Sequence, residues 1–265
     1  MDLKTLLVKI NMPKEVINIL NKIDINNEQY KLLVDKDKVF KANEELLLRL
    51  KDDNLGFKIL KTHLLAALLT YQNYQKENIR DEIYFETMSC FTRFVNEYKE
   101  SFNKYGFDRG FWTYRQLAML LFKVGILEYE IDEENKIISL HIPSKTILTL
   151  ENAKNSLLEF KKLFPKYASN EYKYYMNSWL LSPSLDNLLN KDSNILKFKK
   201  CFKLISFNKY DDSFFIWVYK RKYENLNDLP TNTSLEKNMK EYLLNNNYIG
   251  SALGELISFD ENESN

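Results

Sequence analysis

Three side chains that can take up a proton lie close together in the sequence. Glu128 and Glu130 belong to one short apolar run, and His141 belongs to the next. Side chains alternate along a strand, so the two carboxylates share one face and Tyr129 takes the other. Two close carboxylates do not both stay ionised easily, which makes one of them a better general base near neutral pH. Alternatively, both glutamates are ordinary solvent-facing residues. The side chain of His141, on the next strand, can also face the active-site cleft.

Two extended segments position these residues. They span residues 125–143 and 172–183, and each ends at a proline. Proline cannot donate to a sheet ladder, so a strand usually stops there. Each segment is followed by apolar residues at helical spacing, and two more extended runs follow at 202–207 and 214–219 around an Asp-Asp turn. The pattern predicts strand, helix, strand, helix, strand, strand.

The first half of the chain is predicted to be helical. Apolar residues recur three and four positions apart in four segments, at residues 13–20, 43–50, 56–75 and 81–102. A further helix is predicted at Tyr114–Val124, capped by Thr113 and ended by Gly125. His63 lies in the most apolar helix and is expected to be a core or half-buried histidine and not a ligand. The fold class is therefore α+β, with a helical N-terminal domain before a mixed sheet flanked by helices.

The composition is that of a packed globular chain. The 265 residues carry a formal net charge of +1 and include 17 Tyr and 17 Phe. This near-neutrality argues against a dedicated nucleic-acid or membrane-surface protein. Cys90 and Cys201 lie beside aromatic residues and are expected to be buried free thiols. The His and Cys residues are scattered singly, so no metal site is predicted.

No targeting segment is predicted. The N-terminal apolar run is interrupted by polar residues, and the longest apolar run is far below the roughly 20 residues that a membrane span needs. A cytoplasmic, reducing location is therefore expected.

A helix, a glycine and a hairpin together also resemble a winged helix, which binds DNA. The hairpin would join Leu127–Glu130 to Lys136–Ile142. A DNA-reading helix exposes several basic residues, whereas Tyr114–Val124 has only two and the hairpin tip at 132–135 is acidic. Nucleic-acid binding is the weaker alternative.

Six motifs in combination resemble a bacterial two-domain family of acyltransferases. None of these motifs would be specific alone. They lie between residues 107 and 235, at Phe107–Gln116, Leu127–Glu130, His141–Ser144, Ser178–Pro183, Ser193–Ile195 and Leu229–Leu235. The resemblance implies a helical domain at residues 1–124 and a domain similar to the GNAT N-acetyltransferase fold at residues 125–265. It implies an acyl-CoA-dependent N-acyltransferase that uses acetyl-CoA or another acyl-CoA, with a small-molecule or peptide amine as acceptor.

The resemblance also implies where the coenzyme binds. Acyl-CoA would lie where two central parallel strands splay apart, at Ile137–Ile142 and Tyr174–Leu181. Its pyrophosphate would contact backbone amides near Pro143, at Ser144, Lys145 and Thr146, where the first strand leads into its helix. Asn194 would contact the pantetheine arm; its alternative role is a plain helix cap.

Other residues have less defined expected roles. Arg109, Trp112 and Arg115 could recognise an anionic or aromatic acceptor, or they could fasten the two domains together. The segment from Ile195 to Tyr223 carries eight basic residues against only two acidic ones. It is either a solvated face or a surface near the phosphates of the coenzyme.

Three departures from the family pattern support a second hypothesis. The expected pyrophosphate turn at Pro143–Thr146 has no glycine, Phe198 stands where a general-acid tyrosine is common, and Asn177 stands where a histidine is expected. The alternative function is a catalytically inactive GNAT-like binding or regulatory module.

Overall fold

The protein is described by a computed structural model that covers residues 1–25 and 28–259. The chain forms two compact units, Met1–Lys123 and Val124–Asn265. The predicted domain division at residues 124 and 125 remains a prediction, and its last six residues, 260–265, lie outside the described part.

The first unit is helical, as predicted. Its helices in the described residues are α1 (Leu3–Lys9), α2 (Lys14–Leu20), α3 (Val39–Arg49), α4 (Phe57–Lys76), α5 (Asp81–Met88), α6 (Cys90–Phe102) and α7 (Gly110–Leu117), with a 3-10 segment at Gln29–Val34. The longest, α4, buries nine residues, which include Leu60, Leu64 and His63. It therefore forms the core of this unit.

The single helix predicted at 81–102 is in fact two. Ser89 separates α5 from α6, and its hydroxyl donates to the carbonyl of Phe85, at 2.7 Å. A serine that bonds back to the residue four positions earlier bends a helix. The apolar spacing continues through the bend, so the pattern alone did not reveal it.

The helix predicted at Tyr114–Val124 is also wrong in its bounds. It begins at Gly110 and ends at Leu117, and Leu121–Val124 forms the first strand, β1. Met119 has a φ of 56°, in the left-handed region that terminates helices. The boundary between the two units falls within β1.

A mixed sheet, of which five of the six described strands lie wholly in the second unit, confirms the predicted class. The strands are β1, β2 (Leu127–Asp132), β3 (Ile137–His141), β4 (Lys173–Ser178), β5 (Phe202–Asn208) and β6 (Ser251–Leu256), in the spatial order β1-β2-β3-β4-β6-β5. The predicted hairpin of β2 with β3 is confirmed as antiparallel, and β3 pairs with β4 in parallel. β6 pairs in antiparallel orientation with both of its neighbours, β4 and β5.

The final strand pair was wrongly predicted. Residues 214–217 form a short helix, α10 (Phe214–Trp217), and β6 pairs with β5 instead. A short apolar run is compatible with either a helix or a strand, so the sequence around Phe214 did not decide between them. Gly254 in β6 fits because a Cβ there would lie 2.8 Å from Leu181 Cδ1.

One helix covers one face of the sheet beside β2. This helix is α8 (Leu150–Leu163), whose Phe160 stacks on Tyr129 at 4.0 Å between ring centroids. The Ser156 hydroxyl lies 2.9 Å from that of Tyr129 and donates to the carbonyl of Val124. Burial raises the pKa of the Tyr129 hydroxyl well above its usual range. This contact anchors β2, so its odd-numbered residues face the core.

A second core cluster lies after β4. It involves α9 (Asn194–Lys199), α10, α11 (Ser234–Leu244) and 3-10 turns at Trp179–Leu181 and Pro183–Asn187. Its fully buried members include Leu185 and Met239. α11 begins with a capping box in which Thr233 and Glu236 bond to each other's backbone N–H groups.

Candidate active site

The strand register places the candidate bases on one face of the sheet. Glu128 lies opposite His141, and Glu130 lies opposite Ser139. Alternation directs these four residues away from Tyr129, which packs on α8. The side chains of Glu128, Glu130 and His141 are therefore brought together by the β2–β3 hairpin.

His141 is hydrogen-bonded to Glu130. The distance between His141 Nε2 and Glu130 Oε2 is 2.9 Å, and both side chains are only partly exposed, at 22% and 28%. A carboxylate can only accept, so Nε2 is the donor. In the neutral imidazole the lone pair is then on Nδ1. This is the arrangement by which a carboxylate orients a histidine base.

Glu128 is in a different environment from Glu130. It is buried, with 2% of its surface exposed, although both carboxylates share one face. Because Glu130 bonds to the histidine, it is placed to orient His141.

Pairing between the two central parallel strands ends beside this face. Pairing of β3 with β4 comprises three residue pairs and ends at Ser139 and Tyr175. β3 nevertheless continues to His141 alongside β2, and β4 continues to Ser178 alongside β6. Pairing between the two described strands therefore stops before either strand ends, and the backbone groups beyond this point are free of the β3–β4 ladder.

The loop after β3 carries the predicted pyrophosphate contacts. Ser144, Lys145 and Thr146 form a turn in which the Thr146 hydroxyl donates to the carbonyl of Pro143, at 2.6 Å. α8 begins only at Leu150, so these residues precede the helix and do not form its N-terminus. Lys145 has a φ of 63°, the left-handed conformation that glycine adopts most readily. The turn thus forms without the glycine that the family pattern supplies.

Asn194 is not a helix cap. Ser193 is the cap of α9, because its hydroxyl accepts from the N–H of Leu196, at 3.2 Å. Asn194 is the first helical residue, and its side chain is exposed. The plain-cap alternative for Asn194 is therefore wrong, and its pantetheine contact remains a prediction.

The candidate acceptor-binding residues lie at α7. Arg109 precedes the helix and is buried; its guanidinium pairs with Asp108 at 2.6 Å. The Arg115 guanidinium lies over the ring of Trp112, 4.4 Å from its centroid, and over that of Tyr114. The structure therefore gathers Arg115 and Trp112 into one stacked group, while Arg109 is held by a carboxylate.

Two residues near the gap were missed by sequence reasoning. Ser139 and Tyr175 are paired side by side at the last rung before β3 and β4 part. Alternation puts Ser139 on the face of Glu130 and His141, and the parallel register puts Tyr175 there too. Alternation alone could have indicated Ser139, whereas Tyr175 needed the register. Asn177 lies two residues further along β4 and is exposed.

His63 is confirmed as a core histidine. It is fully buried, with Nδ1 2.8 Å from the Thr113 hydroxyl and Nε2 3.0 Å from Asn43 Oδ1. The Asn43 amide nitrogen donates to the carbonyl of Gly110, which leaves its oxygen for the Nε2–H of His63. Burial lowers the pKa of His63 to about 3, so the ring is neutral.

The structure also shows the surroundings of the two cysteines and of Phe198. Cys90 and Cys201 are confirmed as buried free thiols. Phe198 is fully buried against Phe202 and Phe259. Among the described residues, no group of three or more His, Cys, Asp or Glu side chains is placed to hold a metal ion. No helix in that part of the chain has the length and apolar character to cross a bilayer.

A mixed sheet in which pairing of the central parallel strands stops short of their carboxyl ends is typical of the GNAT-like class of folds. Residues 55–256 match the family described as the GNAT-like C-terminal domain. The match covers most of the chain, and the chain belongs to this family. No curated protein matches it.

Solved structures show the same fold at low sequence identity. An acyltransferase in complex with decanoyl-CoA and teicoplanin is 18% identical, with a TM-score of 0.76 over 96% of this chain and 86% of that one. A mutant acyltransferase in complex with octanoyl-CoA is 16% identical, with the same TM-score and coverage. An acyltransferase with decanoyl-CoA is 16% identical and has a TM-score of 0.69 over 97% of this chain and 100% of that one.

Proposed function

We propose that the protein is an acyl-CoA-dependent N-acyltransferase. The observation that carries this proposal is the end of pairing at Ser139 and Tyr175, while β3 runs on to His141 and β4 to Ser178. Backbone groups released from a ladder need new partners. An extended pantetheine arm carries amides that can supply them. The acyl thioester would then lie between the two strand ends.

The loop after β3 would hold the coenzyme phosphates. Lys145 supplies a positive charge within a turn whose neighbouring backbone N–H groups can bind an anion. Its left-handed φ gives the turn that a glycine would otherwise give. Ser144 and Thr146 are the adjacent contacts that we propose, and Asn194 would contact the pantetheine.

The Glu130–His141 pair would serve as the base. In the reaction, the neutral amine nitrogen forms a bond to the thioester carbonyl carbon, and the carbon–sulfur bond then breaks. His141 would take the proton that the amine loses, directly or through a water, while Glu130 holds the ring. The departing thiolate would take a proton from solvent. Glu128 stays a candidate base, although its burial makes it less accessible than His141.

Experiments can identify which acyl group the protein transfers and which amine accepts it. The similar acyltransferases carry octanoyl-CoA or decanoyl-CoA, and one carries teicoplanin, a glycopeptide. We propose a small-molecule or peptide amine as acceptor here, with acetyl to decanoyl donors to be compared. The stacked pair of Arg115 and Trp112 suits an aromatic or anionic group on that acceptor.

A calorimetric titration with acetyl-CoA, octanoyl-CoA and decanoyl-CoA tests the proposal. We expect saturable binding of at least one thioester, and release of free thiol when a primary amine from a broad panel is added. The absence of binding at millimolar concentration for all three would contradict the proposal.

A second candidate is a binding module without turnover. The buried Phe198 and the exposed Asn177 favour it, because neither side chain can replace the tyrosine or histidine that the family pattern expects. Thioester binding with no thiol release from any amine would select this candidate. Thiol release that disappears in a His141→Ala variant would select the enzyme.

A further inference from the structure

The outer edge of the sheet has an unusual strand. The spatial order places β5 last among the described strands, beyond β6. Half of the backbone N–H and C=O groups of an edge strand point away from the sheet and can pair with another chain. β6 separates β5 from β4, so this edge lies about 10 Å from β4, the strand beside the gap, at ~4.8 Å per strand spacing.

β5 is apolar where edge strands are usually protected. Leu204, Ile205 and Phe207 are exposed by 41%, 52% and 43%. A charge or a proline in the middle of an edge strand normally prevents pairing with other chains. In β5 the residues from Leu204 to Asn208 contain neither; Lys203 lies near the start of the strand and Lys209 directly follows it. The register with β6 is irregular between Leu204 and Ser206, so the strand is regular only up to Leu204. The first part of this edge, up to Leu204, is therefore the part where another strand can pair regularly.

A pocket adjoins the same strand. Its volume is about 460 Å³, and its apolar floor is formed by Leu196 of α9 and by Phe202 and Leu204 of β5. Phe202 and Leu204 alternate onto one face of the strand. A strand paired with β5 at Phe202–Leu204, before the register irregularity, would place every second side chain on this face, beside the pocket.

The surroundings of the pocket are basic. From Ile195 to Tyr210 the sequence has five lysines and no acidic residue. Lys199 is largely buried and pairs with Asp186 at 2.7 Å, whereas Lys191 and Lys200, also at the pocket, form no ion pair with any residue that the structure describes. The rim thus has positive charge that a ligand can neutralise.

This charge distinguishes between possible occupants. A second copy paired about a two-fold axis would bring two lysine-rich edges together, and like charges facing each other oppose pairing. A small molecule would fill the pocket and leave Ile205 and Phe207 exposed. We propose that β5 and its pocket bind an extended peptide of alternating acidic and apolar residues, which adds to the sheet as a further strand.

Fluorescence anisotropy of the full-length protein tests the proposal. The probe is a labelled, end-capped peptide that alternates Glu and Val. The comparison peptides alternate Lys and Val, or keep Glu and Val but carry N-methyl groups on alternate amides. We expect binding of the first peptide only, weakened by salt, because the lysine peptide is repelled and methylation removes backbone donors.

Matched variants locate the site. We expect Lys200→Glu and Leu204→Glu each to weaken the binding at least about tenfold, while Lys162→Glu on α8, a lysine outside the pocket, leaves it within about twofold. Failure of the acidic peptide to bind, equal binding of the methylated peptide, or equal effects of the three variants would overturn the proposal. Self-association that Ile205→Lys abolishes would also overturn it in favour of a second copy. Thioester binding to the same samples separates these outcomes from failure of the proposed transferase.

Discussion

The only two histidines of the chain have contrasting surroundings. His63 is fully buried within the helical first unit, between an asparagine oxygen and a threonine hydroxyl. His141 ends a strand of the second unit, is partly exposed and bonds to the carboxylate of Glu130. The neutral partners of His63 fix one uncharged tautomer, whereas the carboxylate of Glu130 accepts from Nε2 of His141 and orients that ring. The surroundings thus suit one histidine to structure and the other to proton transfer.

The contrast is tested most strongly at His141. We expect His141→Ala to lower the rate of thiol release with the best amine by about 10²–10⁴-fold, because the proton acceptor is lost. The free energy of unfolding should change by less than about 1 kcal/mol, since the side chain is partly exposed. Initial rates and urea unfolding measure the two effects. Unchanged rates would show that His141 is not the base.

The opposite outcome is expected at His63. His63→Ala removes the partners of the Asn43 amide oxygen and the Thr113 hydroxyl and leaves a cavity. We expect a loss of about 3–4 kcal/mol in the free energy of unfolding, with any loss of activity following from unfolding. His63→Gln, which keeps a donor and an acceptor, is the control and should cost less. A loss below about 1 kcal/mol from the alanine variant would contradict the structural role.

Lowering the pH should decrease the free energy of unfolding through His63. The folded pKa of about 3 lies below the value of 6.5 that the unfolded chain has, so the unfolded state binds a proton first as the pH falls. The neutral His63 contributes its full stabilisation above pH 6.5, and this contribution decreases progressively as the pH falls below 6.5. We expect a decrease of about 2 kcal/mol between pH 7 and pH 5.

Urea unfolding of the wild type and of His63→Gln isolates this contribution. Burial raises the pKa of Asp108, which acts in the opposite direction, but this contribution is common to both proteins. Equal slopes of stability against pH in the two proteins would show that His63 does not titrate as described.

The smallest expected effect concerns the partner of His141. Glu130→Gln keeps an acceptor for Nε2 but removes the negative charge. We expect thiol release to slow by about tenfold, since a charged acceptor bonds more strongly than a neutral one. Glu128→Gln is the comparison for the other carboxylate of the same face. A larger loss from Glu128→Gln than from Glu130→Gln would make Glu128 the important carboxylate.

Local pattern sufficed for most of the elements around this site. Alternation in β2 and β3 and helical spacing in α8 are local properties, and the hairpin and helix were predicted from them. The strand β6 was missed because Ser251–Leu256 contains a glycine and lies far along the chain from both of its partners. It is a strand because β4 and β5 flank it, which no local pattern records.

The contacts of the site needed the register as well. Alternation placed Glu128 and Glu130 on one face but did not determine which of them meets His141. The pairing of Glu130 with Ser139 sets Glu130 diagonally from His141, within reach of its ring. The place where β3 and β4 stop pairing also depends on the register. The family resemblance implied that these strands separate, but it did not show that Ser139 and Tyr175 form the last pair.

The most direct test is a calorimetric titration of the full-length protein and of His141→Ala with octanoyl-CoA and acetyl-CoA. The account predicts saturable binding of a thioester to both proteins at one site per chain, with thiol release on addition of an amine by the wild type alone. Binding would also raise the unfolding free energy, by about 2.7 kcal/mol at a hundred times the Kd. Absence of binding heat for both thioesters at millimolar concentration, with no rise in Tm, would contradict a coenzyme site between β3 and β4.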